Sequence, residues 1–101
     1  MTITVVDVPN ENRYEATDQA GTRYGLVDYI RTDKMITFTH TEVDPAAEGK
    51  GIGSTLARAV LDQARTDGVA VLPLCPFIKG WIARHPDYAD LVYTRHESEQ
   101  S

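Results

Sequence analysis

The chain reads as an α+β fold, an antiparallel front half followed by a strand–helix–strand unit and a short C-terminal helix. Three observations predict it. Up to Val43 the apolar residues fall in short β-rich runs divided by turn formers; from Ile52 to Asp67 the period becomes helical; and Val69 to Cys75 is again a continuous apolar run. A helix crossing between two strands makes them parallel, with a right-handed connection. At 101 residues the apolar side chains suffice for one core only, so residues 1–94 are read as a single domain and 95–101 as a polar tail.

Ile3 to Val8 is β-rich and is broken by Pro9 and the polar Asn10-Glu11-Asn12, after which Arg13 to Thr17 resumes as a strand. Asp18-Gln19-Ala20-Gly21 is a turn, with Gly21 free to take positive φ. Thr22 to Thr32 is rich in Tyr, Val, Leu and Ile, and Asp33-Lys34 interrupts it. Met35 to Val43 follows a period of two, which places Ile36, Phe38, His40 and Glu42 on one face and Met35, Thr37, Thr39, Thr41 and Val43 on the other. Short turns between sequential strands predict an antiparallel meander.

Asp44-Pro45 ends that strand, and Ala46 to Gly53 is a glycine-rich loop. Ile52, Leu56, Ala59, Val60 and Ala64 then form the apolar stripe of a helix that leaves Arg58, Asp62 and Arg65 mostly outside it and stops at Gly68. Within the run from Val69 to Cys75, Pro73 lacks an N–H and predicts imperfect pairing at that point. Pro76 opens the last helix, with Phe77, Ile78, Trp81 and Ile82 on its core side, and His85-Pro86 closes it.

Composition narrows the functions. A net charge of −5 is a poor footprint for nucleic acid, whose binding depends on phosphate neutralisation, and no cluster of Lys and Arg offsets it. No apolar run is long enough to span a bilayer, and the N-terminal residues lack the basic start and apolar core of a signal peptide. With one cysteine there is no internal disulfide, so a cytoplasmic location is expected. No set of His, Cys or carboxylates stands at metal-ligand spacing, and no metal is expected. The sequence leaves the oligomeric state open.

The informative segment is Glu48-Gly49-Lys50-Gly51-Ile52-Gly53-Ser54-Thr55, set between a strand and a helix. Glycines let the backbone approach a ligand, and the first helical turn carries N–H groups without internal partners, so the segment suits a phosphate. Two phosphate loops fail on spacing. A P-loop needs Gly, four residues, then Gly-Lys-Ser/Thr, but Lys50 is followed by Gly51 and no glycine stands upstream at the required place. The dinucleotide fingerprint needs a small residue where Leu56 stands.

A third loop, Arg/Gln-x-x-Gly-x-Gly/Ala at the start of a long helix, belongs to the GCN5-related N-acetyltransferases, and Gly51 and Gly53 match it. The chain resembles that family, in particular its short YjdJ-like branch, from Tyr14 to Val92. The resemblance rests on His40-Thr41-Glu42-Val43, the glycine loop, Leu74-Cys75-Pro76-Phe77 and His85-Pro86-Asp87-Tyr88, in that order. One departure is Glu48 where the wider family has Arg or Gln. A carboxylate cannot donate to pyrophosphate, so the backbone N–H groups from Gly49 to Ser54 would carry the load, with Lys50 and the hydroxyl of Ser54 or Thr55.

The resemblance implies acetyl-coenzyme A as cosubstrate and a primary amine, on a protein or a small molecule, as acceptor. It implies a sheet whose strands splay beside the long helix, with the pantetheine arm pairing along the Met35–Val43 strand, foremost at Val43. The thioester would lie between His40 and Cys75. A histidine suits the general base because its reference pKa of about 6.5 lies near working pH, though His40 also fits a hydrogen-bonded residue at a core edge. Glu42 would orient His40 or act as the base itself, or is a solvated carboxylate. Cys75 fits a small buried hydrophobe, a transient acyl carrier, or a proton donor to the leaving thiolate; direct transfer, the family's usual route, favours the last. Lys79 and Arg84 are solvated charges or contacts for the adenosine-side phosphate. The alternatives to an enzyme are a non-catalytic acyl-coenzyme A-binding module and a partner-recognition domain that has lost the ligand.

Overall fold

The computed structural model describes residues 2–47 and 49–94; Met1, Glu48 and the tail 95–101 lie outside the described residues. Five strands, β1 (Thr4–Val8), β2 (Arg13–Thr17), β3 (Arg23–Arg31), β4 (Met35–Val43) and β5 (Ala70–Pro73), form one sheet in the order β1-β2-β3-β4-β5. Helix α1 (Ile52–Asp67) connects β4 to β5, and α2 (Pro76–Arg84) follows β5. The first three pairings are antiparallel and β4–β5 is parallel, so the α+β reading and its terminal strand–helix–strand unit hold. No described helix is long and apolar enough to cross a membrane.

Local chemistry sets the boundaries. Asn12 takes a left-handed conformation (φ 56°) and its N–H closes on the Pro9 carbonyl at 3.1 Å, which reverses the chain between β1 and β2. Gly21 (φ 86°) and Gly68 (φ 70°) occupy the left-handed region where the sequence places a turn and a helix stop. Beyond α2 a 3-10 segment, Pro86–Leu91, continues where the sequence shows only a helix stop. It folds back onto α1: the Tyr88 hydroxyl donates to Asp62 at 2.8 Å and Arg65 pairs with Asp90 at 2.9 Å. The chain then runs along the outer edge of β5, where Tyr93 N–H meets the Val71 carbonyl at 2.7 Å.

One sheet face is packed and the other is open, as antiparallel sheets allow. Tyr14, Ala16, Val27, Tyr29, Ile36 and Phe38 join Ile52, Leu56, Val60 and Leu61 of α1 and Ile78 and Trp81 of α2 in a single core cluster. The helical stripe is broader than its periodicity predicts: Ala57 and Leu61 are fully buried and Ala59 is half-buried. Gly25 lets the start of α1 sit close to the sheet. A Cβ there would lie 2.9 Å from the Glu42 carbonyl oxygen, 2.9 Å from Leu56 Cδ1 and 3.3 Å from Ile52 Cγ2.

The strict alternation expected along β4 is broken. Asp28 pairs with His40 but Tyr29 pairs with Phe38, so Thr39 is an extra residue, a β-bulge. A bulge reverses the parity of side chains beyond it. Ile36 and Phe38 are buried, whereas His40 and Glu42 are turned to the open face, with side chains 54% and 64% exposed. Thr41 and Val43 take over the helix side instead. His40 and Glu42 therefore do not share the face of Ile36 and Phe38.

Candidate active site

The bulge lies where the sheet opens. β5 pairs with β4 at Met35, Ile36, Thr37 and Phe38 and no further. Pro73 is the last paired residue, and Leu74 N–H turns back on the Leu72 carbonyl at 3.2 Å. The final rung is Cys75 N–H to the Phe38 carbonyl at 2.9 Å, after which the chain enters α2 at Pro76. From Thr39 to Val43, β4 has no strand on that side among the described residues. The expected splay is thus produced by a proline-ended β5 and the immediate start of a helix.

The free edge has usable polarity. Asp44 N–H donates to the Tyr24 carbonyl at 2.8 Å, so the alternation of an antiparallel ladder aims the N–H and C=O of Val43 and Thr41 away from β3 and into the gap. An extended chain with amides could add there as a further strand. Val43, the backbone partner expected from the sequence, stands at that edge.

The glycine loop lies at the start of α1. Gly49 (φ 84°) and Gly51 (φ 75°) are left-handed, with open space where a Cβ would be, so conformation and not crowding requires glycine there. Gly51 is the N-cap of α1 and provides no side-chain cap. The Lys50 N–H is occupied by the Ala47 carbonyl at 3.2 Å, and the Thr55 N–H and hydroxyl both return to the Gly51 carbonyl at 2.9 Å. This leaves the N–H groups of Ile52, Gly53 and Ser54 as the uncapped first turn, an arrangement with the donor geometry that an anion can use. Lys50 is exposed.

Gly53 differs from its neighbours. A Cβ on it would come 2.7 Å from Cζ of Phe77, so this glycine makes room for a ring from α2. Ser54, one residue on, accepts a hydrogen bond from Trp81 Nε1 at 3.2 Å. The first turn of α1 and the start of α2 are therefore fastened to each other along one side of the gap, a connection the glycine spacing does not reveal.

Around the gap the candidate catalytic side chains divide into two sets. Cys75, 2% exposed, lies on the helix side, and its Sγ is 3.0 Å from Thr41 Oγ1. His40 and Glu42 lie on the open side, with His40 Nε2 2.8 Å from Glu42 Oε2. The structure brings His40 to Glu42 and Cys75 to Thr41, and it sets the pairs on opposite faces of β4. Thr41 is a functional candidate that sequence reasoning misses; its signal is its place beside the bulge, which the sequence does not mark. Lys79 is exposed on α2, and Arg84 approaches Gly80 of the same helix. Among the described residues no three His, Cys, Asp or Glu side chains are grouped as metal ligands. A cavity of about 410 Å³ lies at the other end of α1 and is lined by Ala64, Gly68, Val69 and Leu91, away from this chemistry.

Comparison with known proteins gives this geometry a context. The family model for GCN5-related N-acetyltransferases matches residues 13–91. No curated protein sequence matches. Among solved structures, a GCN5-like protein of Staphylococcus aureus determined by NMR superposes with a TM-score of 0.67 at 23% identity, covering 93% of this chain and 92% of that one. N-acetylglutamate synthase of Neisseria gonorrhoeae, complexed with coenzyme A and N-acetylglutamate, gives 0.59 at 20% identity over 82% of this chain and 22% of its own. Ribosomal-protein-alanine N-acetyltransferase of Brucella melitensis gives 0.55 at 16% identity over 83% and 64%. At these identities the likeness is one of fold.

Proposed function

The chain belongs to the GCN5-related N-acetyltransferase family, and from that membership we propose that it transfers an acetyl group from acetyl-coenzyme A to a primary amine. The observation that carries this reading is the unpaired edge of β4 beyond Phe38, opening beside the uncapped first turn of α1. A ligand with an anionic pyrophosphate, an amide-bearing arm and a terminal thioester fits those two features in that order. The arm would pair with the backbone at Val43 and Thr41. The pyrophosphate would take the N–H groups of Ile52, Gly53 and Ser54, with Gly49 and Gly51 shaping the loop and Lys50 and the Ser54 hydroxyl beside it, while the Thr55 hydroxyl stays on the Gly51 carbonyl.

The reaction needs little from the protein beyond positioning and proton handling, because the thioester is already activated. The amine nitrogen attacks the carbonyl carbon; the C–N bond forms, the C–S bond breaks, and the electron pair leaves with the coenzyme sulfur. With Nε2–H donating to the Glu42 carboxylate, Nδ1 of His40 carries the lone pair that takes the amine proton. Cys75, on the other side of the gap, protonates the coenzyme thiolate. Exchange with solvent then returns a proton from His40 to water and restores the Cys75 thiol. The helix face is packed, so the acceptor approaches from the open face, where His40 and Glu42 stand.

Coenzyme A titration by calorimetry and thiol release from acetyl-coenzyme A across an amine panel test this together. Binding with thiol release on at least one amine is expected. Binding with no release on any amine would instead make the protein an acyl-coenzyme A-binding module, and absence of binding would overturn the reading. His40→Ala and Cys75→Ala should each slow release by about a hundredfold. If both keep the parent rate, neither side chain handles a proton in the reaction and both catalytic roles fall.

A further inference from the structure

Trp81 is the only tryptophan of the chain and is 1% exposed, yet its one polar atom is aimed at the edge of the glycine loop. Nε1 donates to Ser54 Oγ at 3.2 Å. An indole nitrogen can only donate, so the Ser54 oxygen must accept, and its own hydrogen is left for a different acceptor. Ser54 is exposed in the first turn of α1, beside the uncapped N–H groups of Ile52 and Gly53. The neighbouring hydroxyl cannot substitute for it, because Thr55 Oγ1 is committed to the Gly51 carbonyl at 2.9 Å. The indole is itself held in place: it stacks on His85 with ring centroids 3.7 Å apart and planes at 12°, and His85 Nδ1 closes on the Trp81 carbonyl at 2.7 Å. Arg58, one turn beyond Ser54, places its guanidinium carbon 5.4 Å from the Trp81 ring centroid. With Ser54 and Thr55 it lines a groove of about 350 Å³.

From this arrangement we propose that Trp81 is a positioning residue for the pyrophosphate of coenzyme A, acting through Ser54. The buried N–H fixes the polarity of the Ser54 hydroxyl, so that it presents a hydrogen, and not a lone pair, to the anion. The chain N–H to hydroxyl to phosphate oxygen is a charge-assisted relay, each bond polarising the next. The assignment rests on the coenzyme reading above and adds that Ser54 donates, and that it does so because of Trp81.

Coenzyme A affinity of the parent, Trp81→Phe, Ser54→Ala and the double variant, measured by calorimetry on proteins shown to be folded, tests it. Trp81→Phe keeps a six-membered aromatic ring and removes the donor with the five-membered ring that carries it; Ser54→Ala removes the relay and leaves the core untouched. Each single variant is expected to bind about three- to tenfold more weakly, and the double variant no more weakly than Ser54→Ala, because the two act in series. Ser54→Thr should retain parent affinity. Should Trp81→Phe fail to fold, parent affinity in Ser54→Ala would by itself overturn the proposal. Parent affinity in Trp81→Phe, or losses that multiply in the double variant, would overturn it while leaving the coenzyme reading intact. A parent that binds no coenzyme A would overturn both.

Discussion

Replacing Gly25 by alanine is expected to weaken both the fold and the coenzyme site, through one added methyl. Gly25 is not at positive φ, so alanine suffers no backbone strain there, and in an open site it would be stabilising by limiting the unfolded chain. The space around it reverses the sign. The new Cβ would stand 2.9 Å from Leu56 Cδ1, a flexible tip, but also 2.9 Å from the carbonyl oxygen of Glu42, which is backbone. Leu56 can swing its tip aside, but the Cγ2 of Ile52, 3.3 Å away on a β-branched side chain, gives way chiefly by lifting the first turn of α1 from the sheet. Glu42 can retreat only by moving β4 beyond its bulge, the segment that borders the gap. Overpacking of this kind costs roughly 1–3 kcal/mol. At about 4–8 °C per kcal/mol for a domain of this size, the melting temperature should fall by roughly 5–20 °C.

The affinity for coenzyme A should fall with it, since both walls of the proposed site move. Gly21→Ala separates this effect from a general glycine effect. Gly21 has φ +86° and nothing within 4 Å, so alanine there should cost about 1 kcal/mol of strain and leave coenzyme binding unchanged. Thermal melts and calorimetric titrations of the two variants give the comparison. A Gly25→Ala protein melting within about 2 °C of the parent would refute the argument that the helix start is seated on this glycine.

Three further outcomes follow from named contacts. Gly53→Ala should displace the Phe77 ring and destabilise by about 1 kcal/mol or more, and Phe77→Leu in the same chain should recover part of that loss; additive urea midpoints for the pair would contradict the contact. Gly51→Asn should keep most of the stability that Gly51→Val loses, because asparagine tolerates the left-handed region and a β-branched residue does not, a difference that thermal melts report. Burial, and then the 2.6 Å hydrogen bond to Asp7, raises the pKa of Tyr29 above its ordinary 10.0. A raised value means that its stabilisation is complete below pH 10 and is lost as pH climbs toward the folded value. Tyr29→Phe should therefore flatten the fall in stability above about pH 10 without abolishing it, because burial also raises Tyr14 to about 12. Urea titrations between neutral pH and the alkaline limit would show an unchanged slope if this is wrong.

Much of the fold was legible because its punctuation is chemically unambiguous. Asp33-Lys34, Asp44-Pro45, Gly68 and Pro76 each stop or start an element for a local reason, and both bounds of β4, the end of α1 and the start of α2 follow from them. The bulge at Thr39 was not legible, because a bulge is betrayed by a shift in apolar parity and β4 has almost no apolar residues beyond Phe38 with which to show one. The sole marker is Val43, an apolar residue on what looked like the polar face. Contacts made across the fold were equally hidden. Gly25 against Ile52 and Leu56, Gly53 against Phe77 and Ser54 against Trp81 join residues far apart in the chain, and no local pattern pairs them. The glycine loop itself is local, so its backbone geometry could be anticipated; the reasons for its individual glycines could not. Gly49 and Gly51 serve conformation, whereas Gly53 serves packing.

The bulge also decides how proton traffic is arranged in the proposed reaction. Without the extra residue, His40 would point with Phe38 into the packed side, where an imidazole meets neither solvent nor an incoming amine. With it, β4 offers two chemistries on its two faces along the same short stretch: Thr41 bonded to Cys75 on the covered side, and His40 bonded to Glu42 on the open side. Amine deprotonation requires an exposed base that can return its proton to water between turnovers. Protonation of the coenzyme sulfur is better served by a sheltered donor that the solvent cannot exchange during the step. A flat, regular strand would have put His40 and Cys75 on the same buried side and separated neither task, so one inserted threonine allows a five-stranded sheet of this size to carry both.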